Sequence, residues 1–587
     1  MNKLLKNPFD HDAANNLSDE EIIDYYIEDY NFSRFIRSTK NVFLIGERGS
    51  GKTMTLLYNS FKIQHKIALN DDNISYKWIG IHIPCNTPLF HKREYLLIED
   101  EYKKSIICEH YLVLSILYAI ANTLSTANEL VDQIDSSSDE LYTTIEYIWD
   151  IQLERSSNNF FEAVKKFVNK EIIRTQKEIN SRNSDSFYDN ALSFSSTVLP
   201  FLLSLTQIAC LKDAHYMLMI DDAHDMNEYQ IKTLNSWIAY RDHSLFSFKV
   251  ATIKVGRPAR VTSTGGSILE GHDFITVDME QAYQNEKTSF YHLSKLIVER
   301  RLEKAGINVA ATEFFPVNKD FEKQLEKYRQ IAQEQAQEKY GDNAKAISDY
   351  IYKYQRALYF RDRKAQANHP PYSGFRMIVA VSTGIIRNML DPCYWMYESA
   401  FSEQRNKNND EGIISVKSIS PAIQNDTICK RSKDFWAQLE QGLENIVPNC
   451  TQKESKQVYN LLEQLIVLFS KRIKAPISEP RAIVFSISQK EKHPTETEKL
   501  LKLINIARRA QYIYTRIGNA KDLGKSDILY VPNRIIFPNF GLDPDGQFAR
   551  VSLKVTDLYA AAIYKKEIPF GDDGSDAENI QLTLFDL

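Results

Sequence analysis

The segment Gly46-Glu-Arg-Gly-Ser-Gly51-Lys52-Thr53 constrains this 587-residue chain more than any other. It follows directly on Asn41-Val-Phe-Leu-Ile45, a short unbroken apolar run of the kind a central parallel strand buried on both faces requires. Met54 to Phe61 then continues as a predicted helix. The loop matches G-x-x-x-x-G-K-[ST], and each residue type in it has a physical reason. The glycines let backbone N–H groups close round phosphate oxygens, Lys52 neutralises the outer phosphates, and the Thr53 hydroxyl suits Mg²⁺. The helix dipole adds to the attraction. An α/β fold with a parallel sheet is expected, with a nucleotide held along Gly46, Glu47, Arg48, Gly49, Ser50, Gly51, Lys52, Thr53 and Met54.

A triphosphate site that turns over also needs a carboxylate for the metal and a group that polarises the attacking water. Met217-Leu-Met-Ile220 is a second apolar run, and it ends in Asp221 and Asp222. Asp221 is expected to hold Mg²⁺ through water, while Asp222 stands where such ATPases place a catalytic glutamate. Aspartate is one methylene shorter, which points to slow hydrolysis or a switch-like cycle. The expected activity is that of an ATPase, with ATP and Mg²⁺ as its cofactors.

The order of these motifs resembles AAA+ ATPases, and within them the origin recognition complex and archaeal initiator group with its bacterial relatives. Asp221-Asp-Ala-His-Asp225 is similar to that group's Asp-Glu-x-x-Asp motif. The resemblance implies that Phe248 to Lys254 is the next core strand, with Thr252 or Lys254 as sensor 1, and that Asp273 to Asp278 is the fifth. Val381-Ser-Thr-Gly384-Ile-Ile-Arg387-Asn-Met-Leu390 is similar to the lid helix whose arginine reaches the γ-phosphate. That makes Arg387 the sensor 2 candidate and adds it to Lys52, Asp221 and Asp222 as a catalytic residue. The resemblance spans roughly residues 5 to 400, with gaps. This chain departs from the pattern at Asp222 and in the stretch of about 160 residues between the two nucleotide motifs, where Tyr111 to Leu124 and Phe160 to Ile173 read as inserted helices. A homo-oligomer is expected, although neither Arg257 nor Arg260 is assigned as an arginine finger.

Charged residues at 25% and hydrophobic residues at 43% are those of an ordinary globular protein. The six cysteines form no CxxC pair, which speaks against a zinc ribbon or a disulfide framework and for a reducing, cytoplasmic setting. The N-terminal residues lack an apolar run of signal-peptide length. Ala191 to Leu211 carries no charge, but its four serines, two threonines, Pro200 and Gln207 suit a buried helix better than a membrane span, so no membrane partner is expected.

Net charge is −5, yet residues 453 to 534 hold sixteen Lys plus Arg against eight Asp plus Glu. Lys453 to Ile473 is amphipathic, Ala482 to Ile487 reads as a strand, and Thr495-Glu-Thr-Glu498 reads as a capping box opening a helix to about Ile517. Ile528 to Val531 resumes extended structure. This pattern suits a winged-helix-like domain, the usual appendage of the initiator group, in which Arg508, Arg509 and Arg516 would meet DNA phosphates. The alternative is a domain of the same kind used for protein contact.

From Gly571 the composition is that of a disordered acidic tether, and it ends in Gln581-Leu582-Thr-Leu584-Phe585-Asp-Leu587. This resembles the bacterial sliding-clamp-binding motif, in which Leu584 and Phe585 would fill an apolar pocket while Gln581 and Leu582 set the register.

The resulting layout is an N-terminal helical lead-in at 1–40, a P-loop AAA+ core at 41–280 with a helical insertion at about 86–210, and a helical lid at 281–402. A winged-helix-like domain at 413–570 and the tail at 571–587 complete it. The leading functional expectation is a DNA-associated AAA+ ATPase recruited to the sliding clamp, in an antiphage or mobile-element defence system with a separate effector such as a nuclease. A nucleotide-driven oligomerisation switch of the STAND kind is the alternative, and a replication or repair accessory ATPase the second alternative.

Overall fold

The structure, a computed structural model, describes residues 7–570 apart from 11–12, 29–31, 71–74, 86–95, 97, 136–137, 156–158, 181–190, 240–243, 255–259, 281–288, 364–370, 408–415, 476, 478, 520–525 and 547–548. The clamp-like motif at Gln581, Leu582, Leu584 and Phe585, and also Arg257, lie outside the described residues. The chain forms two compact units, His11–Glu280 and a second made of Met1–Asp10 with Gln281–Leu587.

The first unit is built on five strands, β1 (Val42–Ile45), β2 (Trp78–Pro84), β3 (His215–Asp221), β4 (Phe246–Thr252) and β5 (Ile275–Asp278), in the spatial order β2-β3-β4-β1-β5. Every pairing is parallel. All seven positions of β3 and of β4 are buried, so both strands are covered on both faces. Register aligns the C-terminal ends: Ile45 lies beside both Thr252 and Asp278, and Pro84 lies beside Asp221. The loops that follow β1, β3 and β4 therefore open on one edge of the sheet, where open α/β sheets bind ligands.

Between β2 and β3 the chain inserts helices Glu101–Leu124, Asn128–Asp135, Ser138–Trp149 and Phe160–Asn180. Asp100 caps the first by accepting from the amides of Tyr102 and Lys103. That helix is, among the described residues, long and apolar enough to cross a membrane, but 61% of its most apolar window is buried. Its Ile107, Leu114 and Leu117 share one core with Ile81 of the sheet and with Phe160 and Phe201 of the insertion. Ala191 to Leu211 is not a single helix. It divides into a π-helical turn Phe194–Val198, an α-helix Leu199–Leu205 with Pro200 in its first turn, and a 3₁₀ turn Ala209–Leu211.

The second unit begins with the first described residues. Phe9 is buried against the rings of Phe314, Phe315 and Tyr397, and Arg301 donates to the Pro8 carbonyl at 3.1 Å. Helices Lys319–Tyr340 and Ala344–Asp362 pair as a hairpin, followed by Phe375–Val381, Ile386–Lys407, Pro421–Gln441 and Gln452–Lys474. A second sheet follows, of β6 (Val484–Ser488), β7 (Ile513–Asn519), β8 (Ser526–Pro532) and β9 (Arg550–Lys554), in the order β7-β8-β6-β9. β7 and β8 form an antiparallel hairpin, β6 joins β8 antiparallel, and β9 joins β6 in parallel. Between β6 and β7 stand one short 3₁₀ turn, Lys490–Lys492, and the helix Pro494–Arg509.

That helix differs from the sequence expectation at both ends. It starts at Pro494 with no side-chain cap, and Thr497 turns its hydroxyl back to the His493 carbonyl at 2.7 Å, so the Thr495/Glu498 box does not form. It stops at Arg509 because Gln511 adopts a left-handed conformation, φ 65°, after which Ile513-Tyr-Thr-Arg-Ile517 pairs as β7. Branched and aromatic side chains favour that extended state.

Candidate nucleotide site

The loop between β1 and the helix Lys52–Tyr58 turns through two glycines whose φ values, 88° at Gly49 and 97° at Gly51, lie in the region other residues avoid. A Cβ at Gly46 would fall 2.6 Å from Ser50 Oγ, so the loop closes on itself only with glycine there. Lys52 is buried, and its Nζ donates to the Gly46 carbonyl at 2.8 Å and the Glu47 carbonyl at 3.0 Å. Burial pulls its pKa down, against the opposing pull of Asp222, Asp221, Glu47 and Glu280. Of the remaining loop residues, Arg48 is exposed and its Nη2 lies 3.4 Å from His224 Nε2, while Met54 is half-buried.

The two nucleotide motifs meet at one carboxylate. Thr53 Oγ1 donates to Asp221 Oδ1 at 3.3 Å across a sequence separation of 168. The same oxygen accepts the Asp222 amide at 3.0 Å, and Asp221 Oδ2 lies 3.1 Å from His82 Nε2 on β2. Asp221 is 1% exposed and sits at the last position of β3. Asp222 follows in a left-handed conformation, φ 54° and ψ 41°, one that a short polar side chain tolerates. Burial, then the neighbouring Asp221 charge, raises its carboxyl above the usual range.

Three further contacts tie the floor of the loop. Glu280 Oε1 accepts the Glu47 amide at 2.7 Å, and Lys254 Nζ reaches Glu280 Oε2 and Asp278 Oδ2, both at 2.7 Å. Lys254 is thereby committed to two acids, whereas Thr252 Oγ1, at the end of β4, is buried without a hydrogen-bond partner. Arg260 pairs with Glu270 at 3.0 Å and lies over the Phe274 ring.

Hard oxygen donors on Thr53 and Asp221, in a pocket ringed by acids, fit Mg²⁺, which is normally held by one or two protein groups together with substrate phosphates.

In the second unit Arg387 is exposed at the second position of the helix Ile386–Lys407, just after a turn in which Thr383 and Gly384 take φ values of 59° and 85°. Of the three basic residues singled out in the C-terminal region, Arg508 donates to Thr515 Oγ1 at 2.6 Å and Arg516 to the Thr383 carbonyl at 3.0 Å. Arg509 is exposed. The contacts of His82 and Glu280 have no signature in the sequence, since strand pairing and the loop floor assemble them from distant segments.

Strand order and phosphate loop together define a P-loop fold of the AAA+ class. The ORC-CDC6-like family model matches residues 7–334 and 318–553, and the chain belongs to that family. Among solved structures, it is similar to Cdc6p from Pyrobaculum aerophilum, at 12% identity and TM-score 0.28, over 95% of this chain and 97% of that one. It is also similar to the Aeropyrum pernix Orc1 protein, solved in complex with DNA, at 10% identity and TM-score 0.27, over 90% and 92% of the two chains. No curated protein matches.

Proposed function

We propose that the chain binds ATP with Mg²⁺ at residues 46–54 and hydrolyses it slowly. The observation that carries this reading is the hydrogen bond from half-buried Thr53 to buried Asp221 beside the buried Lys52, whose ammonium is held by the loop carbonyls. Mg²⁺, when bound, would be held by Thr53 and Asp221 and would neutralise charge on the phosphates. Lys52 and the loop amides hold the triphosphate, and Asp222 orients the attacking water. Thr252, with its unspent hydroxyl, takes the sensor 1 role, and Arg387 the sensor 2 role. Hydrolysis by parent protein and by Asp222→Asn tests the assignment: turnover is expected to fall while nucleotide affinity stays, and unchanged turnover would remove Asp222 from the chemistry.

Family membership and the local basic excess support association with DNA. Arg509, the exposed member of the trio, is assigned to phosphate contact, and Arg508 and Arg516 to holding β7 in place. The residues Gln581, Leu582, Leu584 and Phe585 support recruitment to a bacterial sliding clamp, which concentrates a cytoplasmic ATPase at DNA without tight contacts of its own. Clamp capture by the full chain and by a chain ending at Ile580 decides it: equal recovery would overturn the recruitment.

A further inference from the structure

The phosphate loop and the acid of β3 are completed by a side chain from the next strand. β2 runs parallel to β3 with Pro84 beside Asp221 and His82 beside Met219. Alternation along a strand puts His82 and Asp221 on the same face of the sheet, diagonal to one another and within reach of a long side chain. The residue directly beside Asp221 is a proline and has no N–H to give. The donor comes from the diagonal position, where His82 Nε2 lies 3.1 Å from Asp221 Oδ2. An ionised carboxylate only accepts, so Nε2 carries the hydrogen.

The ring is held by its surroundings. Gly80, two residues earlier on the same face, packs so closely under the end of the Lys52–Tyr58 helix that a Cβ there would fall 2.2 Å from the Asn59 carbonyl. β2 is thus pressed against the helix that carries Thr53. Among the described residues, the three donors to the Asp221 carboxylate divide cleanly: Thr53 and the Asp222 amide share Oδ1, and His82 takes Oδ2. A carboxylate pinned at one oxygen from the strand side cannot swing about its terminal torsion, and its other oxygen stays turned to the Thr53 hydroxyl.

We propose that His82 is a positioning residue that fixes the Asp221 carboxylate for a divalent cation bound with the nucleotide. The proposal rests on the ATP·Mg²⁺ reading above. Groups that orient a metal-holding side chain in this way typically contribute about ten- to a hundredfold in metal affinity or activity.

The test is a Mg²⁺ titration of full-length protein, read by the affinity of a fluorescent non-hydrolysable ATP analogue, with a parallel measurement in EDTA. For His82→Leu the Mg²⁺ concentration giving half-maximal tightening is expected to rise about tenfold or more, with affinity in EDTA unchanged. His82→Gln, which keeps an N–H donor of similar reach, is expected to recover most of the loss. His82→Asn, shorter by a methylene, keeps the polarity of the site but falls short of Oδ2. It is expected to behave like the leucine variant and replaces it should leucine prevent folding. Parental Mg²⁺ dependence in a folded His82→Leu or His82→Asn protein would overturn the positioning role while leaving the nucleotide site intact. Equal losses in EDTA and in Mg²⁺ would also overturn it, by showing a general structural role. Absence of any Mg²⁺ effect in the parent would instead count against the nucleotide reading itself.

Discussion

Both units of the chain bury carboxylates, and they satisfy them in opposite ways. In the nucleotide unit Asp221 accepts from a hydroxyl, a backbone amide and an imidazole. In the C-terminal unit Asp543, equally buried, is gripped by the fork of Arg356 at 2.6 and 2.7 Å and by Arg481 at 3.3 Å, while Arg376 holds Asp545 at 2.7 Å. Burial alone would raise the Asp545 pKa, but the guanidiniums of Arg376, Arg356 and Arg481 hold it below the usual range. Paired carboxylates of this kind make a joint between the helical hairpin and the second sheet. A carboxylate whose direct donors are a hydroxyl, an amide and an imidazole leaves charge for a cation to complete. On the proposed function, the contrast separates a structural acid from a metal-holding one, and it is the contrast that mutation can break.

The largest effect is expected at the joint. Asp543→Ala strands two guanidiniums in the interior and should lower stability by about 3–5 kcal/mol, measured by denaturant unfolding, with nucleotide affinity in any folded fraction preserved. Asp221→Asn should do the reverse, lowering ATP turnover about a hundredfold, the scale for losing one preorganised electrostatic partner, with little change in unfolding midpoint. If Asp543→Ala spared stability, or Asp221→Asn unfolded the protein, the division between the two acids would fail.

A buried neutral group sharpens the comparison further. His110 Nδ1 accepts the Leu192 amide at 2.9 Å, so Nε2 carries the hydrogen that bridges to Thr175 at 3.0 Å, linking helices Glu101–Leu124 and Phe160–Asn180. Burial, with Arg174 adding to it, holds its pKa down at about 3. The unfolded chain, with a histidine near 6.5, binds the proton first, so the stability contributed by neutral His110 is complete above about pH 6.5 and is lost as pH falls towards 3. The slope is at most about 1.4 kcal/mol per pH unit, and His110→Gln should flatten the difference between unfolding free energies at pH 7 and pH 5. An unchanged pH dependence in that variant would refute the assignment.

The smallest effect expected is at Arg509. Its change to alanine should reduce the slope of log affinity for DNA against log salt by about 1, with no loss of stability, whereas Arg516→Ala should act through folding. A salt slope that moves only for Arg516→Ala would reverse these roles.

What could be read in advance follows from range. The first strand, loop and helix are contiguous, and their φ constraints are written in Gly49 and Gly51 themselves. Asp221 was legible because its apolar run ends where the acid begins. His82 was not, because it meets Asp221 across 139 residues through a strand pairing that apolar runs do not specify. The end of the Pro494–Arg509 helix was misplaced for a related reason: helical and extended patterns adjoin at Gln511 with no glycine or proline between them. The basic excess of residues 453 to 534 is a count, and a count does not show where side chains point. Arg516 spends a donor on Thr383, 133 residues away, and Arg481 contributes to the buried joint.

Everything assigned to the first unit depends on Lys52 and the loop that encloses it. Calorimetric titration of the full chain with a non-hydrolysable ATP analogue and Mg²⁺, parent against Lys52→Ala, measures this directly. On the proposed function, in which the buried Lys52 ammonium neutralises the phosphates, a loss of affinity of about a hundredfold or more at unchanged fold is predicted. Equal affinities in the two proteins would contradict the account.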